Sequence, residues 1–163
     1  MTSAPDVSRV YDVAEQLDTC MFVTRRGEML TARPMSSIVQ RGTGHIQFLT
    51  STEGSLADDV SNNPNVVLAY GNGSNLFLSV GGTATVSADR TPIGAVWNPG
   101  AQAFWPDGPD DPKVRLVTVQ LHNGELWDGD NSAVAAVKFA FALATGRRAD
   151  VGERKSVDLS IVR

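Results

Sequence analysis

LTARPMSSIVQRGTGHIQFLTS, residues 30–51, reads as two strand-like runs joined by a short turn flanked by Gly42 and Gly44. The first run carries Ala32-Arg33-Pro34-Met35 and the second ends in Phe48-Leu49-Thr50-Ser51. A sheet edge with one arginine, one proline and a run of hydroxyls suits a flat ring that bears a phosphate, so a flavin nucleotide is the first candidate. A plain β-hairpin with one exposed arginine is the simpler reading of the same residues.

Around this stretch the chain is rich in β-formers and turn residues. Apolar residues recur at Val7, Val10, Val13, Ala14 and Leu17, the three-and-four spacing of an amphipathic helix over residues 6–17 with Asp6 as its N-cap. Residues 19–24 predict a strand, and Arg25-Arg26-Gly27-Glu28 a turn into the run at Leu30. Residues 30–40 and 44–51 predict the next pair of strands. A short helix over 53–62 is stopped by Pro64. Strands follow at 66–70 and 76–88, joined by a turn at 71–75. Gly81-Gly82 marks a bulge or a close backbone approach in the second of them.

Residues 91–97 predict one or two helical turns with Pro92 near the start. Residues 98–112 hold four of the eight prolines and read as a long loop of functional or interface character. A strand over 114–121 is expected to break at His122-Asn123-Gly124 and resume to Trp127. A last helix runs from a cap at Asn131 or Ser132 to Gly146. Mostly hairpin-connected strands with short peripheral helices predict a mainly β fold, an antiparallel barrel or sandwich in one domain over residues 1–163.

The last helix is apolar nearly all round. Val134, Val137, Phe141 and Ala144 mark one face; Ala133, Ala136, Ala140 and Leu143 cover much of the rest; Lys138 is the only charge before Arg147. Such a helix needs cover on more than one side, and a second subunit is the expected cover.

Composition bounds the function. Of 163 residues, 42% are hydrophobic and 20% charged, the balance of a globular protein with an ordinary core. A net charge of −4 argues against a broad nucleic-acid face. The single cysteine, Cys20, forms no internal disulfide and reads as a small buried residue. The N-terminal residues lack the basic-then-apolar order of a signal peptide, and no apolar run is long enough to cross a bilayer. A cytoplasmic setting is expected, so Asn72-Gly73-Ser74 reads as a turn and not as a glycosylation site. His45 and His122 lack metal-type spacing with other ligands, and no nucleophile elbow or phosphate loop occurs. Asp58-Asp59 and Asp110-Asp111 read as solvated charges.

Three segments in order carry a resemblance. They are Ala32-Arg33-Pro34-Met35 with Phe48-Leu49-Thr50-Ser51; Trp97-Asn98-Pro99 with Phe104-Trp105-Pro106-Asp107-Gly108 and Asp111-Pro112; and Glu125-Leu126-Trp127-Asp128. With the tail Ala144-Thr145-Gly146 to Val157-Asp158-Leu159, the chain resembles the general stress protein 26 branch of the pyridoxamine 5'-phosphate oxidase-like family of FMN-binding split barrels. The resemblance implies a six-stranded antiparallel split β-barrel of Greek-key type, paired as a homodimer with FMN in two clefts between the subunits. It implies that Arg33 reaches the flavin phosphate, that Pro34 and Met35 line the ring, and that Leu49, Thr50 and Ser51 add backbone and hydroxyl contacts. Ser55 begins a helix whose first amides face the phosphate, while Trp97 and Trp105 are candidates to close the cleft. Core or interface packing is an equal reading for both tryptophans.

Two positions depart from the family pattern. Relatives carry Ser-x-Lys at the start of the second helix, where this chain reads Gly54-Ser55-Leu56. Pyridoxamine phosphate oxidases also use a second basic residue on the first flavin strand and an Arg-x-His near the C-terminus; here Ile38 stands at the strand position and no Arg-x-His occurs. The expected function is therefore an FMN-dependent, stress-related oxidoreductase that does not act on pyridoxamine phosphate, its small-molecule substrate unidentified. The alternative is a non-enzymatic protein that binds or senses a flavin. FMN, FAD and deazaflavin are not distinguished by the sequence.

Overall fold

Thr19–Arg26 (β1) and Met29–Ser36 (β2) pair in register from Thr19 with Ser36 to Arg26 with Met29, so the connecting loop is only Gly27 and Glu28. Gly27 has a φ of +59°, which a two-residue hairpin loop demands at its first position. Arg25 and Arg26 therefore belong to the strand and not to the turn expected there. The computed structural model describes residues 4–129, 132–146, 148 and 152–160. The Asn131 cap, Arg147 and Val151 lie outside those residues.

Helix α1 (Ala4–Leu17) starts before Asp6, which sits in its first turn instead of capping it. Val10, Val13 and Ala14 are fully buried beneath it. The helix ends at Asp18, whose φ of +57° is left-handed and whose N–H donates to the Ala14 carbonyl at 3.0 Å. The Asp18 carbonyl then accepts the Ser37 N–H at 2.8 Å and also the Ser37 hydroxyl. This bond explains why residues 30–40 are two strands and not one. Ser37 spends its backbone donor outside the ladder, and Ile38–Gln40 (β3) continues as a separate strand paired with His45–Ser51 (β4).

The other elements are α2 (Leu56–Asn62), β5 (Asn65–Gly71), β6 (Leu76–Ser87), α3 (Arg90–Ala95), α4 (Pro99–Phe104), β7 (Val114–Gly129), α5 (Ser132–Thr145) and β8 (Gly152–Asp158). All strand pairs are antiparallel, in the order β2-β1-β5-β6-β7-β4-β3, with β8 also on β7. The two edges of that path, β2 and β3, are joined by Ser37 alone. A one-residue link between opposite edges forces the sheet to roll up, which makes it a split barrel. Phe22 on β1 and Phe48 on β4 meet inside it edge to face, ring centroids 4.9 Å apart, although their strands are not neighbours. Such a contact contributes about 0.5–1.5 kcal/mol beyond the area it buries.

Eight strands replace the six expected, because β3 separates from β2 and the tail adds β8. The proline-rich segment 98–112 is not all loop: Pro99–Phe104 is helical, with the Asn98 side chain accepting the Ala101 N–H at 3.0 Å. The break expected at residues 122–124 is absent, since β7 runs unbroken from Val114 to Gly129. Gly81 pairs with Asn123 and Gly82 with Leu121, which leaves His122 as the extra residue of a bulge. The expected irregularity at Gly81-Gly82 is thus present, with its additional residue on the partner strand.

A Cβ on Gly82 would stand 2.4 Å from the Gln120 carbonyl oxygen and 2.9 Å from Val119 Cγ1. Neither β7 backbone nor a buried valine yields cheaply. Gly82→Ala is expected to lower stability by about 2–3 kcal/mol, measured as a shift in urea midpoint at unchanged m-value. An unshifted midpoint would show that the strands separate freely there.

Candidate functional site

Along β2 the side chains alternate. Thr31, Arg33 and Met35 turn inward and are half-buried, while Ala32, Pro34 and Ser36 are exposed on the outer face. Arg33 reaches the end of the barrel beside α2. Its Nη1 donates to Ser55 Oγ at 3.1 Å, and its Nη2 lies 2.9 Å from Thr31 Oγ1, 3.0 Å from Thr24 Oγ1 and 2.9 Å from Asp59 Oδ2. Ser55 precedes α2 but makes no side-chain cap to it, so its hydroxyl is held toward the arginine instead.

Asp59 is the residue that sequence reasoning misjudged. It is only 4% exposed, the carboxylate being taken by Arg33, by Thr24 Oγ1 at 3.2 Å and by Arg26, which donates from Nε at 2.8 Å and Nη2 at 3.1 Å. The Arg26 hydrogen bond is the main cause that holds the Asp59 carboxyl down to about 2; burial pushes the other way, and the Arg33 and Thr24 bonds add to the lowering. Asp58 is exposed as expected. A signal was present, because Leu56, Asp59 and Val60 fall three and four apart on the buried face of α2. A charge on such a face requires a partner. Asp111 is likewise buried and not solvated, its Oδ1 accepting the Lys113 N–H at 2.8 Å.

Two further cations are occupied elsewhere. Arg25 Nε donates to the Gly27 carbonyl, and Arg41 pairs with Asp12 and Glu15 on α1. Leu56, the residue in the lysine position, is buried in the main core.

Beside this cluster lies a cavity of about 570 Å³. Pro34 and Met35 from β2, Ser37 from the β2–β3 link, Ile38 from β3, Leu49, Thr50 and Ser51 from β4, Phe104 from the end of α4 and Trp105 just after it are among the residues that line it. Six of the nine site residues expected from sequence are thus brought together: Pro34, Met35, Leu49, Thr50, Ser51 and Trp105. Arg33 and Ser55 form the adjoining polar cluster, Arg33 being next in the chain to Pro34. Trp97 stands apart from the lining. It packs with Ile93, Val114 and Leu116, its ring centroid 6.1 Å from that of Trp105, and its Nε1 donates to Gln102 Oε1 at 3.0 Å.

The loop bearing Trp105 is held by Arg90, whose guanidinium donates to the carbonyls of Pro109, Asp111 and Val114 at 2.7–3.1 Å. One arginine satisfying three carbonyls fastens an irregular segment without a ladder. The cavity therefore has apolar walls and hydroxyls from Ser37, Thr50 and Ser51, while the Arg33–Ser55 pair stands outside the lining, Arg33 one residue along β2 from Pro34. Among the described residues no group of three or more histidine, cysteine or acidic side chains is placed to hold a metal. None of their helices is long and apolar enough to cross a membrane.

The family model described as pyridoxamine 5'-phosphate oxidase like matches residues 5–150. The chain is 24% identical over 144 residues to protein bli-3 of Neurospora crassa, across 82% of this chain and 69% of that protein. A provisionally named general stress protein 26 from Jannaschia sp. CCS1 superposes with a TM-score of 0.73 at 25% identity, over 96% of this chain and 99% of the other. The general stress FMN/FAD binding protein of Xanthomonas citri superposes with a TM-score of 0.70 at 23% identity, over 80% of this chain and 93% of the other.

Proposed function

Because the chain belongs to the pyridoxamine 5'-phosphate oxidase-like family, in its general stress protein 26-like branch, we propose that it binds FMN and acts as a flavin-dependent oxidoreductase. One observation carries the reading: an apolar cavity of about 570 Å³ is lined from Pro34 and Met35, the two residues that follow Arg33, which itself bonds Ser55. That volume lies within the usual range of cofactor pockets. The walls from Pro34, Met35, Leu49 and Trp105 fit a flat ring, while Arg33 and Ser55 present donors to a phosphate.

A bound flavin supplies the hydride or electron transfer itself. The protein's part is placement. Arg33 fixes the anionic end, the Thr50 and Ser51 hydroxyls offer donors to ring heteroatoms, and Phe104 with Trp105 excludes water from the apolar wall. Ile38 lines the cavity at the strand position where pyridoxamine phosphate oxidases carry a basic residue, which argues against a vitamin B6 phosphate as substrate.

Two copies sharing the cleft would also account for the surface. Phe104 is 80% exposed, Leu30 73% and Leu143 74%, and Val137, Phe139 and Phe141 of α5 are exposed with it. Of the α5 side chains described, only Ala142 is buried. Large apolar groups in such number mark an interface. In solution the protein is expected to run at about twice its 17.4 kDa chain mass; a monomer in sedimentation at micromolar concentration would remove the shared cleft. A cytoplasmic site of action suits the reading.

The purified protein is expected to be yellow, or to gain several degrees in Tm with excess FMN. Oxidation of reduced nicotinamide by the FMN-loaded protein identifies the enzyme. Stoichiometric binding without turnover identifies instead a flavin carrier or sensor, the reading favoured by Leu56 in the lysine position. A protein indifferent to FMN, FAD and deazaflavin would end both.

A further inference from the structure

Asp59 holds two guanidiniums on one carboxylate. Arg26 and Arg33 both reach its Oδ2, at 3.1 and 2.9 Å, so these charge-bearing nitrogens stand no more than about 6 Å apart. One carboxylate offsets one cation and leaves a unit of positive charge. The two arginines differ in what the chain offers them. Arg33 is 23% exposed and faces four acceptors, Ser55, Thr24, Thr31 and Asp59. Arg26 is 50% exposed and meets Asp59 alone, through Nε and Nη2, so its Nη1 has no acceptor among the described residues. The Asp59 hydrogen bond is the main cause that raises the Arg26 pKa, and Asp58, the preceding residue on α2, adds a smaller through-space contribution without a hydrogen bond.

We propose that Arg26 and Arg33 together form a two-arginine clamp for a phosphate monoester, with Asp59 as the residue that positions both. The clamp rests on the reading that a phosphate-bearing ligand occupies this end of the site, and it assigns Arg26 as a binding residue. A phosphate monoester carries between one and two negative charges at neutral pH and three acceptor oxygens. It matches the residual positive charge and the unused Nη1 donors of the planar Arg26 fork. Asp59 keeps the two like charges together until the anion arrives.

The test compares FMN with riboflavin, which has the ring and lacks the phosphate, on wild-type protein, Arg26→Gln and Arg26→Lys. Arg26→Gln is expected to weaken FMN about 10-fold to 100-fold and to leave riboflavin unchanged. Arg26→Lys should recover part of the loss, and added salt should weaken FMN on wild type more steeply than on Arg26→Gln. Equal FMN affinity in wild type and Arg26→Gln overturns the clamp, as does an equal loss for FMN and riboflavin, which a merely structural arginine would give. Should wild-type protein ignore FMN, the flavin reading fails while inorganic phosphate still decides the clamp. A Tm rise with phosphate in wild type that is absent in Arg26→Gln, with Arg26→Lys as the folded control, supports it; no such difference overturns it.

Discussion

Asp59→Asn is expected to lower stability by about 3 kcal/mol at neutral pH, the lower end of the cost of breaking a buried ion pair. For a chain of this length that is roughly 6–12 °C in Tm. The carboxylate is buried and receives Arg26, Arg33 and Thr24. Removing its charge leaves two guanidiniums side by side, one of them half-buried. The half-exposed Arg26 can turn into water, which limits the loss. The acid limb gives an independent check. Asp59 falls from the ordinary 3.8 to about 2 in the folded protein, so on acidification the unfolded chain takes up the proton first. The contribution is complete above pH 3.8 and disappears as the pH approaches 2. Wild type and variant should therefore converge in stability across that window in denaturant titrations. Two curves that keep a constant offset down to pH 2 would mean that the charge on Asp59 is not what stabilises the fold.

Arg33→Ala is expected to weaken FMN binding by about 100-fold or more, since it removes a charged donor from the phosphate and frees Ser55 as well. Arg33→Lys should fall between, because an ammonium keeps the charge but loses the planar fork. Quenching of flavin fluorescence on titration measures both. Because Arg33 also bridges Thr31, Thr24 and Asp59, affinity must be read on protein whose near-ultraviolet circular dichroism matches wild type. A folded Arg33→Ala protein that binds FMN with unchanged affinity would detach the arginine from the ligand and leave it a structural tie between β1, β2 and α2.

The sheet's local grammar was legible because it depends on neighbouring residues. Gly27 marks the β1–β2 turn, although the loop is two residues and not the four expected; Pro64 bars α2 from continuing; and the run at 44–51 is a strand, His45–Ser51. The turn at residues 71–75 was legible too. Its closure by Asn72 Oδ1, which accepts from the N–H groups of Ser74, Asn75 and Leu76, is local side-chain chemistry. Element limits were less so. Asn98 as a cap turned part of an expected loop into α4, and a bulge at His122 kept β7 whole where a break had been expected.

By itself, the sequence determined a hairpin-rich antiparallel fold, the family to which its ordered motifs belong, and six of the fourteen residues that line the cavity. Both strand periodicity and motif order are written along the chain. Only the tertiary structure decided that β2 and β3 lie at opposite edges joined through Ser37, and that Asp59 stands between Arg26 and Arg33. It alone shows that most of the described apolar side chains of α5 are uncovered. Those facts join residues tens of positions apart, and the free energy that selects them comes from rolling the sheet around Phe22 and Phe48 and from neutralising a buried charge. Neither quantity exists until distant segments meet.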